Sequence, residues 1–229
     1  NATVTEDLNN NFINLEFKIK DSEKYYVKKI NIFGNNITSE NVIRNQFEVD
    51  EGDPYNEILL NKSINNIKSL NIFKSVKKEI IDDKNSKTII INISIEEKPT
   101  GEINAMAGLG TEGSSIGFGV KENNFLGKGI SLDSNFLISS DSFEGKFSVT
   151  NPNYKNTDRS IYVSAEAIEI DNYKTFGYKT NKTGISFGTN FEYYDDFYLG
   201  LGNSNFYEKI ETNSTASARQ QAQEGDYWD

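Results

Sequence analysis

From Ile103 to Gly202, apolar side chains alternate with small or polar ones in run after run, and this period of two decides what the chain can become. Ile103, Ala105, Ala107 and Leu109 take turns with Asn104, Met106, Gly108 and Gly110. Ile116, Phe118 and Val120 follow, then Ile130–Ile138, Phe143–Val149, Ile161–Ala167, Ile185–Phe191 and Phe197–Leu201, about seven runs in all. Each is close to the roughly ten residues that a tilted strand needs to cross a bilayer. A soluble β-sandwich alternates in the same way, so the pattern leaves both architectures open. Turn lengths help a barrel a little: Phe125–Lys128 and Glu192–Asp196 are short and Asp171–Asn181 and the stretch after Asn213 are long, with Asn151–Arg159 the exception.

A mean hydropathy of −0.60 does not count against membrane strands, because alternation dilutes the apolar signal. No stretch approaches the ~18 apolar residues of a membrane helix, and no signal peptide is recognisable. The net charge of −10 and the lack of a large basic cluster argue against nucleic-acid binding. The chain has no cysteine and no histidine, which removes thiolate chemistry and the commonest general base and metal ligand. Asp195-Asp196 and Glu96-Glu97 are the nearest things to paired carboxylates, but neighbours on a strand point to opposite faces. The expectation is a protein that is not an enzyme, with no catalytic residues, no metal and no cofactor.

Composition breaks near Pro99. Of the 17 glycines only Gly34 and Gly52 precede it, and helical periodicity is confined to the front. There the order reads strand (Tyr25–Phe33), short helix (Glu40–Phe47, capped by Thr38 or Ser39), second helix, and two strands (Phe73–Ile81 and Thr88–Ile95). Ile43 and Phe47 share a face of the first helix; Leu60, Ile64 and Ile67, with Asn71 next in line, share one of the second. Two amphipathic helices need a sheet to bury against, so this is a two-layer α+β domain.

Specific strings then carry a resemblance. Tyr25–Ile30, Gly34-Asn35, Glu51–Asn56 and Leu70–Val76 resemble the POTRA signature. Glu97–Gly101, Gly108–Thr111, Asn124–Gly129 and Thr150–Tyr154 resemble the junction and early barrel of the BamA family, in the family's order. The resemblance implies an α+β POTRA domain (β-α-α-β-β) followed by the first strands of an antiparallel transmembrane β-barrel. The boundaries are residues 1–23 for the end of a preceding POTRA domain, seen in Phe12–Lys20, then 24–98 for the POTRA domain and 99–229 for barrel strands. Family barrels have about sixteen strands and only about seven are legible here, so truncation at both ends is expected.

By the same resemblance the chain works in the outer membrane, with its POTRA domain in the periplasm. It would insert unfolded outer-membrane proteins by β-augmentation at a lateral seam. The template would be the first barrel strand, Ile103, Asn104, Ala105, Met106, Ala107, Gly108, Leu109 and Gly110, with the glycines weakening its pairing. Arg44 and Glu51 match an Arg and a Glu linked in the family to docking of a lipoprotein subunit. Expected partners are client proteins, lipoprotein subunits and outer-membrane lipid, with a TamA-like or two-partner secretion transporter as the nearest rival and a porin or adhesin barrel further off.

Overall fold

The computed structural model describes residues 23–110, 113–194 and 197–228. The strand expected at Phe12–Lys20 therefore lies outside the described residues, as do Thr111, Asp195 and Asp196.

The first unit runs β1 (Tyr26–Phe33), α1 (Glu40–Arg44), α2 (Glu57–Ser69), β2 (Phe73–Asp83) and β3 (Thr88–Glu97). Its sheet order is β1-β3-β2, with β1 parallel to β3 and β2 antiparallel to it. Alternation in β3 buries Ile89, Ile91, Ile93 and Ile95 on one face. Leu60, Ile64 and Ile67 of α2 and Ile43 of α1 meet them in one core. Each such side chain contributes about 1.5–3 kcal/mol on full burial, enough for both helices to hold to the sheet.

Local expectations need three corrections. Helix α1 stops at Arg44 rather than Phe47, although Phe47 still packs against the core. Ser39 makes no side-chain cap, and the Thr38 hydroxyl is taken by Asn124 of the second unit instead. Asn71 leaves the helical line with φ +56 after α2 has ended, while Asn56 caps α2 by accepting from the N–H groups of Ile58 and Leu59.

The second unit is one antiparallel sheet: β4 (Gly101–Gly110), β5 (Gly113–Phe125), β6 (Ile130–Ser139), β7 (Ser142–Asn151), β8 (Arg159–Asn172), β9 (Tyr178–Tyr194), β10 (Phe197–Thr212) and β11 (Gly225–Trp228). Strands pair in chain order, and α3 (Ala218–Gln221) precedes β11. The eight strands exceed the expected seven by the short β11. The long loop expected over Asp171–Asn181 is also shorter, because β8 reaches Asn172 and β9 starts at Tyr178.

Register settles which architecture the alternation serves. Ile103 pairs with Val120, then in turn Ser134, Phe147, Ala165 and Ile185, so one face carries apolar residues on five of six successive strands, with Ser134 the exception. Asn104, Gly119, Asn135, Lys146, Glu166 and Gly184 form the matching row on the other face. A sandwich would cover the apolar face with a second sheet. Here Ile103 is 73%, Ile116 66% and Ile185 56% exposed. Such a face needs lipid, and a bilayer-facing sheet satisfies it.

Candidate functional site: the open edge of the barrel sheet

Strand β4 lies at the end of the sheet and pairs with β5 alone among the described residues, and all ten of its residues are exposed. The direction of its backbone groups follows from the register. Asn123 donates to the Thr100 carbonyl at 3.3 Å, so this pair, one step beyond Gly101↔Glu122, is a hydrogen-bonded one. Counting along β4, the even-numbered residues Asn104, Met106 and Gly108 bond to β5. The odd-numbered Ile103, Ala105, Ala107 and Leu109 turn N–H and C=O to the open side. Their side chains stand on the apolar face.

The expected template residues thus divide by role. Asn104, Met106, Gly108 and Gly110 hold β4 in place, with Met106 lying across the space above Gly117. A Cβ on Gly110 would make only an ordinary contact, 4.0 Å from the Gly113 carbonyl, so relief of crowding does not account for it.

Arg44 and Glu51, seven residues apart, meet over β1. The Arg44 guanidinium donates to the Ile30 carbonyl at 3.1 Å, and Glu51 Oε1 accepts from the Ile30 N–H at 2.9 Å. The two side chains are 4.0 Å apart, and Arg44 also pairs with Glu40 at 2.6 Å. Together they close the outer edge of β1 at Ile30, as a neighbouring strand would. The 51–55 loop continues that closure: Gly52 donates to Val27 and Tyr55 to Tyr25, and Val27 donates to Asp53. Spacing kept the pair in view, but no letter of the sequence announces a bond to a backbone atom.

Glu96 and Glu97 diverge as strand neighbours should. Glu96 turns to Lys74, 2.5 Å away, whose hydrogen bond and charge hold its carboxyl below the usual range. Glu97 turns to the loop after β1, an arrangement sequence reasoning missed.

Residues 25–98 match the family model described as POTRA, surface antigen variable number repeat. The outer membrane protein assembly factor BamA of Neorickettsia risticii (strain Illinois) is 28% identical over 206 residues, covering 88% of this chain. A crystal structure of BamA from Haemophilus ducreyi lacking POTRA domains 1–3 superposes with a TM-score of 0.70 at 23% identity, covering 93% of this chain and 41% of that one. In sequence and in fold the chain resembles BamA over most of its length, with the POTRA match confined to residues 25–98.

Its barrel strands accordingly lie in the outer membrane, with the POTRA domain in the periplasm. The BamA of Buchnera aphidicola subsp. Acyrthosiphon pisum (strain APS) is 30% identical over 122 residues, or 52% of this chain. This chain spans 27% and 20% of the lengths of those two relatives. CdiB from Escherichia coli also shares the fold, with a TM-score of 0.54 at 12% identity, covering 90% of this chain and 38% of its own.

Proposed function

We propose that this chain supplies the POTRA domain next to the barrel, and the templating strand, of an insertase that assembles outer-membrane proteins. The observation that carries the reading is β4: a fully exposed edge strand whose odd-numbered residues offer their backbone outward while their side chains face lipid. In lipid each unpaired N–H or C=O costs several kcal/mol, so an incoming strand that pairs with β4 is strongly favoured. Pairing and burial drive the process, so the proposed activity requires no catalytic residue, cofactor or nucleotide. Unfolded outer-membrane proteins are the clients. Arg44 and Glu51, half exposed beside the closed edge of β1, would form the docking surface for a lipoprotein subunit. The names of the two sequence relatives support assembly over secretion, whereas the CdiB likeness is one of fold.

The test is a lock. In the full-length protein, a cysteine at Ala105 joined by a disulfide to the strand beside the open edge should stop client assembly, and reductant should restore it. Assembly undiminished in the locked protein would show β4 to be wall rather than template.

A further inference from the structure

The loop between β1 and α1 is held by one carboxylate. Glu97, the last residue of β3, accepts from the N–H groups of Asn36 at 3.0 Å, Ile37 at 3.0 Å and Thr38 at 2.7 Å. Three successive donors folded around one anion make a rigid concave turn. Gly34 lets the chain enter it: its φ is +91, and a Cβ there would stand 2.0 Å from the Ile95 carbonyl.

The other side of this loop touches the barrel. Ser39 donates to the Gly127 carbonyl at 2.8 Å, and Asn124 donates to the Thr38 hydroxyl at 2.9 Å. Asn124 in turn accepts from the Gly129 N–H at 2.8 Å, so its carboxamide ties the loop to the β5–β6 turn. Thr38 is 2% and Asn124 8% exposed, so this contact is dry and its bonds are not in competition with water. The Ile37 carbonyl sits where a Cβ on Gly127 would come within 2.0 Å, and Val42 of α1 fills the space beside Gly129. Each backbone or hydroxyl group that the loop offers to the turn lies within one residue of an N–H held by Glu97.

We infer that Glu97 is a positioning residue: it shapes the Gly34–Ser39 loop into a socket that grips the β5–β6 turn and so fixes the POTRA domain against the hairpin beside the edge strand. The covalent connection through Lys98–Thr100 alone would leave a swivel. The socket is a second point of attachment and the Gln46 carboxamide, donating to Asn153 at 3.4 Å, is a third; together they restrict that freedom. Since β5 is the sole described partner of β4, the orientation of the POTRA domain and the position of the open edge move together.

The test uses the full-length protein in phosphatidylethanolamine and phosphatidylglycerol vesicles, with nitroxide labels on N65C in α2 and D158C before β8. Pulsed electron–electron distances should give one narrow distribution. Glu97→Gln removes the charge and leaves one strong acceptor for three donors. Thr38→Val removes the hydroxyl that accepts from Asn124 and also bonds Glu97, and Gly127→Ala places a methyl group against Ile37 from the barrel side. All three should at least double the width of the distribution, while Lys128→Ala leaves it unchanged.

A narrow distribution in Glu97→Gln would overturn the role of Glu97. A narrow distribution in both Thr38→Val and Gly127→Ala would overturn the joint itself, whatever Glu97→Gln does to the domain. Client assembly measured on the same variants rests on the insertase reading, and the distances do not. Broadened distances with undiminished assembly would leave the joint standing and sever its link to function.

Discussion

Reversing the charge at Arg44 tests two accounts of that residue at once. If Arg44 were only a solvated docking charge, Arg44→Glu would change domain stability by less than ~0.5 kcal/mol. The structure demands more. The guanidinium bond to the Ile30 carbonyl belongs to a class worth about 1.5–3 kcal/mol, and 38% side-chain exposure puts it near the lower end. Losing the Glu40 pair adds roughly 0.3–0.5 kcal/mol, and a third carboxylate beside Glu40 and Glu51 costs a similar amount. The sum is about 2 kcal/mol, or roughly 10 °C in the melting temperature of a domain this size. Residues 24–98 should fold as a soluble monomer, and thermal circular dichroism of the parent and the variant measures the difference. Glu40→Gln should lose only the smaller part. A variant melting within 1 °C of the parent would refute the edge-closing role. In that case, weakened co-purification of a lipoprotein partner would report docking alone. If the melting point falls as argued, Arg44→Lys is the docking test, since it keeps the charge and loses the forked donor.

Ile67→Asp should unfold the same domain in the same assay, because Ile67 is fully buried and an unpaired buried charge costs several kcal/mol, while Phe47→Asp at a half-buried site should cost less. Acid should loosen the POTRA–barrel joint. Burial disfavours the Glu97 charge, but the hydrogen bonds from Thr38, Ile37 and Asn36 outweigh it and hold the carboxyl below its usual value. The stabilisation is therefore whole above the unfolded glutamate value of about 4.3 and is lost as pH falls through the lower folded value. Label distances that stay narrow through that window would contradict it. At the edge, Ala105→Pro removes a donor on the open side and spares the bonds to β5, so client assembly should fall at least tenfold while the barrel still folds. Asn104→Pro should disturb folding itself, and Ala105→Val should be tolerated. Normal assembly with Ala105→Pro would sink the templating proposal.

Much of this fold is written in spacing. The line of Leu60, Ile64 and Ile67 and the alternation of β3 name their own buried faces, because burial acts on side chains and side chains are what sequence records. Strand ends are another matter. Beyond the lipid band no apolar face is required, so β8 and β9 continue through Glu169, Asp171 and Lys179 with the sheet held by backbone bonds and by the ion pairs of Lys179. Hydropathy falls silent there while pairing goes on, and a loop was the natural reading. β11 escaped for a related reason: four residues are too few to show a period. The candidate site is legible as a segment, but not which of its backbone groups face outward, since that parity follows from the register with β5 and shows in the bond from Asn123 to Thr100. The bonds that join Arg44 and Glu51 to Ile30, and those from the Asn36, Ile37 and Thr38 N–H groups to Glu97, involve backbone atoms, common to every residue and so invisible in any motif.

That invisibility also bears on how one strand could serve many clients. A template working through side chains would need complementary partners in each client. One working through N–H and C=O finds the same donors and acceptors in every strand except at proline. What the template must then avoid is steric conflict, because residues directly opposite in an antiparallel pair bring their Cβ atoms to about 4.5–5.5 Å. Ala105 and Ala107, the middle two of the four outward-bonding residues, meet that condition: they are small enough to leave room for an aromatic or a branched residue opposite. Ile103 and Leu109 flank them, 73% and 93% exposed, and keep the ends of the same face apolar. On the proposed reading, the small residues of β4 are what a backbone template requires at its centre, and bulk there would trade generality for preference.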